Sequence, residues 1–76
     1  MKIPLTPDKR VQHYRELCER ILLDIDDLPE RAEEFAMSCE VTISSILTFI
    51  EEQGRVTDKQ AEAIENIESG VNRWFR

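Results

Sequence analysis

Apolar residues recur along this chain at spacings of three and four, which places them on helical faces. The first run is Val11, Tyr14, Leu17, Cys18, Ile21, Leu22, Ile25 and Leu28. The second is Ala32, Phe35, Ala36, Cys39, Ile43, Ile46, Leu47 and Ile50, and the third is Ala61, Ile64, Ile67, Val71, Trp74 and Phe75. The pattern predicts three helices over about 7–27, 29–53 and 58–75. Inside the second lies Val41–Ile50, VTISSILTFI, which carries no charge and many β-branched residues. A strand competes for that segment. The unbroken 3.6-residue pattern from Ala32 to Ile50 favours a helix, with room for a kink near Ser38–Thr42.

Polar and special residues mark the ends. Thr6 can cap the first helix, Pro7 suits its first position, and Asp8 complements its dipole. Pro29 disfavours helical geometry at Leu28 and can open the second helix, whose first turns hold Glu30, Glu33 and Glu34. Gly54 supplies a left-handed end to that helix. Thr57 and Gln60 form a capping box, with Val56 and Ala61 placed as a hydrophobic staple. Gly70 weakens the third helix near its end.

Short connections imply antiparallel neighbours. The expected architecture is all-α, a single small three-helix domain spanning residues 1–76. It is built on an antiparallel hairpin with a C-terminal covering helix. The uncharged middle of the second helix suggests that this helix is central, with the others on either side. Met37, Val41, Ser44 and Thr48 share its outward side and are candidates for a partner-binding or self-associating surface. Leu23, opposite the apolar face of the first helix, is a weaker one.

Size and charge narrow the function. Seventy-six residues give a marginal core, so the helices must share nearly all their apolar surface. With 34% charged residues, the outer faces are well solvated. The net charge of −6 works against autonomous DNA binding, which needs cations to displace phosphate counterions, and favours basic protein partners. Met1–Asp8 has no apolar signal-peptide core, and no apolar run is long enough to span a bilayer. A cytoplasmic protein is expected.

No catalytic, cofactor or metal site is apparent. His13 is the single histidine and stands in no nucleophile motif, so a partly exposed structural role is expected. Cys18 and Cys39 read as buried free thiols, with a disulfide as the competing reading. Three dispersed Cys and His residues fall short of the four ligands a structural zinc site usually takes. Asp24, Asp26, Asp27, Glu30, Glu33 and Glu34 form an acidic cluster at the hairpin tip. A solvated tip, a dock for a basic protein surface and weak divalent-cation binding all fit it. With Met37 and Val41, Asp24, Asp26, Asp27, Glu30 and Glu34 make the candidate partner-binding set.

Lys2, Lys9, Arg10, Arg55 and Lys59 are expected at the opposite end, diluted by Asp8, Glu51, Glu52 and Asp58. Arg73 and Arg76 fall near the acidic tip. Trp74 and Phe75 between these arginines suit base stacking with phosphate contacts, although the same residues also fit a core role. The alternative nucleic-acid set is Lys9, Arg10, Arg55, Lys59, Arg73, Trp74 and Arg76. No phosphate-binding Gly-rich loop occurs, so the chain cannot house an ATPase motor.

The segment Gly54–Phe75, GRVTDKQAEAIENIESGVNRWF, resembles a pattern of small phage-encoded helical proteins: a Gly turn, a T-x-K-Q-type cap, apolar spacing and a terminal Trp. With its length and helical reading, the whole chain is similar to the small protein encoded beside the UvsW recombination helicase of T-even-type bacteriophages. The resemblance implies a phage recombination and repair context, in the host cytoplasm, with a helicase or an associated factor as partner. It carries no catalytic residues onto this chain. The combined expectation is a non-enzymatic protein-interaction module, with an auxiliary single-stranded DNA binder as the alternative. The oligomeric state is left open.

Overall fold

The computed structural model describes residues 7–75. Its helices are α1 (Pro7–Asp26), α2 (Glu33–Gln53) and α3 (Asp58–Trp74), with a 3₁₀ turn at Glu30–Ala32 between the first two. No strand occurs among the described residues, and Val41–Ile50 is helical throughout. The expected cap Thr6 lies outside the described residues, as do Lys2 and Arg76.

The direction of each helix follows from its contacts. Arg10 meets Asp58 and Tyr14 meets Glu65, so α3 runs the same way as α1. Phe35, near the start of α2, packs on Gly70 and Trp74 near the end of α3, so these two run in opposite senses. The result is an up-down-up bundle.

The start of the second helix differs from the expected position near residue 29. Pro29 is extended (φ −66°, ψ 157°), and the Ala32 N–H donates to the Pro29 carbonyl at 2.9 Å. That three-residue closure makes a 3₁₀ turn, and α-helical geometry begins only at Glu33. Proline fixes the extended entry, and the tight turn seats Ala32 in the interior. From Glu33 to Gln53 the helix is then continuous through Ser38–Thr42. Gly54 ends it in the left-handed region (φ 67°), its N–H donating to Ile50 at 2.8 Å.

The core joins Cys18, Ile21 and Ile25 of α1 to Cys39, Ile43, Ile46 and Ile50 of α2, with Val56 and with Ala61, Ile64 and Val71 of α3. No charged or polar residue is buried among those described. The second helix is not the central one, contrary to what its uncharged middle suggests. The central helix is α1, which packs extensively on α2 and also on α3, whereas α2 and α3 touch least. The α1–α3 seam is partly polar: the Arg10 guanidinium donates to Asp58 at 2.7 Å and the Tyr14 hydroxyl to Glu65 at 2.9 Å. Such a seam leaves no trace in apolar spacing. The α2–α3 contact is instead closest-fitting at a glycine: a Cβ on Gly70 would lie 3.0 Å from the Phe35 ring, so any larger residue there makes that ring shift.

At the start of α3 both halves of the capping box form. The Gln60 N–H donates to the Thr57 hydroxyl at 3.1 Å, and the Thr57 N–H donates to the Gln60 side chain at 3.0 Å. Val56 and Ala61 are buried beside it. Thr57→Ala is expected to lower stability by about 1 kcal/mol, read as a shift of the urea midpoint at unchanged slope. An unshifted midpoint would mean that water replaces the cap at no cost.

Candidate interaction surface

The hairpin turn gathers the acidic residues. It is closed by Asp27 N–H to Asp24 carbonyl and Leu28 N–H to Ile25 carbonyl, each at 3.1 Å. Asp24 is half-buried, whereas Asp26, Asp27, Glu30, Glu33 and Glu34 are exposed. The end of α3 arrives at the same tip. There the Arg31 guanidinium stands 5.5 Å from the centre of the Trp74 ring, and Phe35 lies 6.3 Å from it on a tilted plane. The tip therefore carries exposed carboxylates together with a small aromatic cluster that has the Arg31 guanidinium over it.

From this tip the outward side of α2 leads away. Met37 is 59% exposed and Val41 68%, one helical turn apart. Ser44, Ser45 and Thr48 continue the exposed side. The same ten-residue uncharged stretch turns Ile43, Ile46 and Ile50 inward. Two roles thus share it: a buried face against α1, and an uncharged face left in solvent. Leu23 is also exposed, at 69%, but on α1 and among charged neighbours.

The alternative nucleic-acid residues are divided between the two ends of α3. Lys9, Arg10, Arg55 and Lys59 lie at its start, and Arg73 and Trp74 at its end. Lys59 and Trp74 are separated by about 22 Å of helix at 1.5 Å per residue. Arg10 is engaged by Asp58 and lies 5.8 Å from the Tyr14 ring centre. The Arg55 guanidinium lies 5.8 Å from the Phe49 ring centre. Arg73 donates to the Ser69 carbonyl at 3.4 Å, and Trp74 is half-buried under Arg31. The structure does not bring the two groups together. The Arg31–Trp74 and Phe35–Gly70 contacts were not readable from spacing, since each joins residues about forty positions apart through the relative rotation of two helices.

His13 is exposed and meets the Tyr14 ring edge-on at 4.9 Å. It lines a shallow depression of about 220 Å³ with Glu16, Leu17 and Arg20, all on α1. A depression lined by one helix gives no convergence of groups on a substrate. Cys18 and Cys39 are both free and buried. Burial, with the Glu19 carboxylate adding to it, pushes the Cys18 thiol up to about 11, and burial also raises Cys39. Both therefore stay protonated at neutral pH, unlike activated thiols. Among the described residues, no group of three His, Cys, Asp or Glu is placed to hold a metal, and no helix is long and apolar enough to cross a membrane.

Comparison of the chain with protein-family models, with curated proteins and with solved structures gives no match.

Proposed function

We propose that the chain is a non-enzymatic accessory module that works by protein contact. Its docking surface is the outward side of α2 together with the acidic tip: Met37 and Val41, with Asp24, Asp26, Asp27, Glu30 and Glu34. The observation that carries this reading is the exposure of Met37 and Val41 on a helix whose charged residues are all acidic. Met37 and Val41 lie one helical turn apart beside exposed carboxylates, the arrangement of an apolar patch with a polar rim that a partner would cover. Carboxylates beside them favour a basic partner surface and speed encounter with it.

The resemblance to the neighbour of the UvsW helicase makes a phage recombination helicase of that kind the first partner to try, and a role in phage recombination and repair the proposed context. The test is an NMR titration of the isotopically labelled chain with that helicase. Resonances of Met37, Val41 and the 24–34 turn are expected to shift or broaden first. Silence at high helicase concentration rejects that partner. Shifts confined to α3 or to the outer side of α1 reject the surface.

A further inference from the structure

We infer that the outward side of α2 takes a partner helix whose apolar stripe is bounded at both ends by Lys or Arg; this rests on the protein-contact reading above. The helix Glu33–Gln53 carries Glu33, Glu34, Glu40, Glu51 and Glu52, and no Lys or Arg. These carboxylates bracket the uncharged stretch Val41–Ile50 on both sides. Carboxylates in the first turn stabilise the helix, so Glu33 and Glu34 have a structural explanation. Glu51 and Glu52 have the opposite one. They stand in the last turn, where the dipole disfavours negative charge, and no basic residue shares that turn. Both are exposed, and neither has an ion-pair partner among the described residues. Their placement weakens the helix they end, and a cationic group docked from outside would reverse that cost.

The shape of the face specifies more. Met37 and Val41 project at the tip end, whereas Ser44, Ser45 and Thr48 make a low shelf toward the other end. A facing helix can approach closely over the shelf and fill it with a bulky apolar residue such as Leu. Glu34 and Glu52 are about 27 Å apart along the helix at 1.5 Å per residue. The matching ligand is therefore an amphipathic helix of about 18 residues with cations at its two ends.

A second copy of this chain does not fit. Packed parallel or antiparallel, two α2 helices would set Glu33 and Glu34 against acidic residues of the other copy, with no Lys or Arg on either helix to separate them. Each molecule also carries a net charge of −6. A single exposed helical side is small beside the roughly 800 Å² per partner of a standard stable interface, so the contact belongs to the weak, exchangeable class.

The probes are three synthetic helical peptides of about 18 residues sharing one Leu/Ala stripe. One has two Lys at each end, one has two Glu at each end, and one has two Gln at each end. Each is titrated into the full chain while methyl resonances of Met37 and Val41 are followed. The Lys-ended peptide is expected to shift both methyls, and to bind at least about tenfold more tightly than the Glu-ended one at low salt. The advantage should shrink as salt rises from about 50 mM to about 500 mM. Glu51→Gln with Glu52→Gln should weaken the Lys-ended peptide about three- to tenfold. The same double variant should raise the free protein's Tm by a few degrees, because it removes charge from the wrong end of the dipole. A merely solvating pair of carboxylates would not give that opposite movement of affinity and stability.

Equal binding of all three peptides at Met37 and Val41 overturns the cation-bracketed ligand while leaving the docking surface standing. Shifts that avoid Met37 and Val41, or no shift with any peptide, overturn both. Concentration-dependent dimerisation of the free chain that Val41→Glu abolishes would assign the face to a second copy and also overturn the proposal.

Discussion

Ile43→Ala is expected to cost about 2–5 kcal/mol, and Val41→Ala, two residues away, less than about 0.5 kcal/mol. The two residues are both β-branched and lie in the same uncharged segment, but Ile43 is fully buried and Val41 is 68% exposed. Removing the Ile43 side chain beyond its Cβ leaves a cavity in the cluster formed with Cys18, Ile21 and Cys39, and the surrounding helices can close it only partly. Removing the Val41 methyls leaves nothing unfilled, and alanine's higher helix propensity offsets the small loss of contact. For a chain of this length total stability is about 4–11 kcal/mol. Ile43→Ala therefore removes a large fraction of it, and should lower Tm by at least about 10 °C. Paired urea melts and thermal scans check the contrast. Similar losses at both positions would show that α2 is covered on both sides in solution, which would remove the basis for a docking face. Val41→Ala then also serves as a binding variant whose fold is intact.

That contrast depends on helical rotation, which the sequence carries clearly. Pro29, Gly54 and the Thr57–Gln60 box set the boundaries, and spacings of three and four separate Ile43, Ile46 and Ile50 from Val41, Ser44 and Thr48. The arrangement of the helices was less legible. Apolar density suggested that the second helix is central, yet α1 holds that place. Density is high on α2 partly because its outward side is uncharged without being buried. On α1 the reverse applies, since Arg10 and Tyr14 reach Asp58 and Glu65 across the seam. Polar residues that bridge helices look the same in sequence as polar residues in water. Gly70 was similarly ambiguous: read as a weak point in α3, it is also a place where the Phe35 ring lies close against the helix. The candidate surface was legible as far as each residue's side of its helix. That the end of α3 falls near the acidic tip was legible too; the placing of Arg31 over Trp74 and of Phe35 against Gly70 required the third dimension.

The thiols supply the second large effect, which appears in alkali. Cys18 is fully buried and held up to about 11, first by desolvation and then by the Glu19 carboxylate; Cys39 is raised by burial. In the unfolded chain both ionise near the ordinary thiol value of about 8.5. Their folded values lie above their unfolded ones, so their contribution to stability is fully present below about pH 8.5. The Cys18 part is lost as pH rises toward about 11, because over that window the unfolded chain binds fewer protons than the folded one, and the Cys39 part is lost in the same direction. Each thiol in that window contributes a slope of at most about 1.4 kcal/mol per pH unit. Tyr14 is also raised, by desolvation and by its hydrogen bond to Glu65, and extends the loss in the same direction at higher pH. The urea midpoint is therefore expected to fall steeply between about pH 8.5 and about pH 10.5, with Cys18→Ala/Cys39→Ala less stable at neutral pH but flatter across that range. An identical alkaline slope in the double variant would assign the loss to other groups. Thiol modification gives an independent reading: at a fixed pH near 8, the shift to about 11 alone should slow Cys18 by roughly 200-fold relative to the unfolded chain. Burial should slow it further, until modification proceeds only through opening of the α1–α2 hairpin. If Cys18 instead reacts in the folded protein at the unfolded rate, the hairpin opens far more freely than its packing implies, and the core assignment of α1 fails with it.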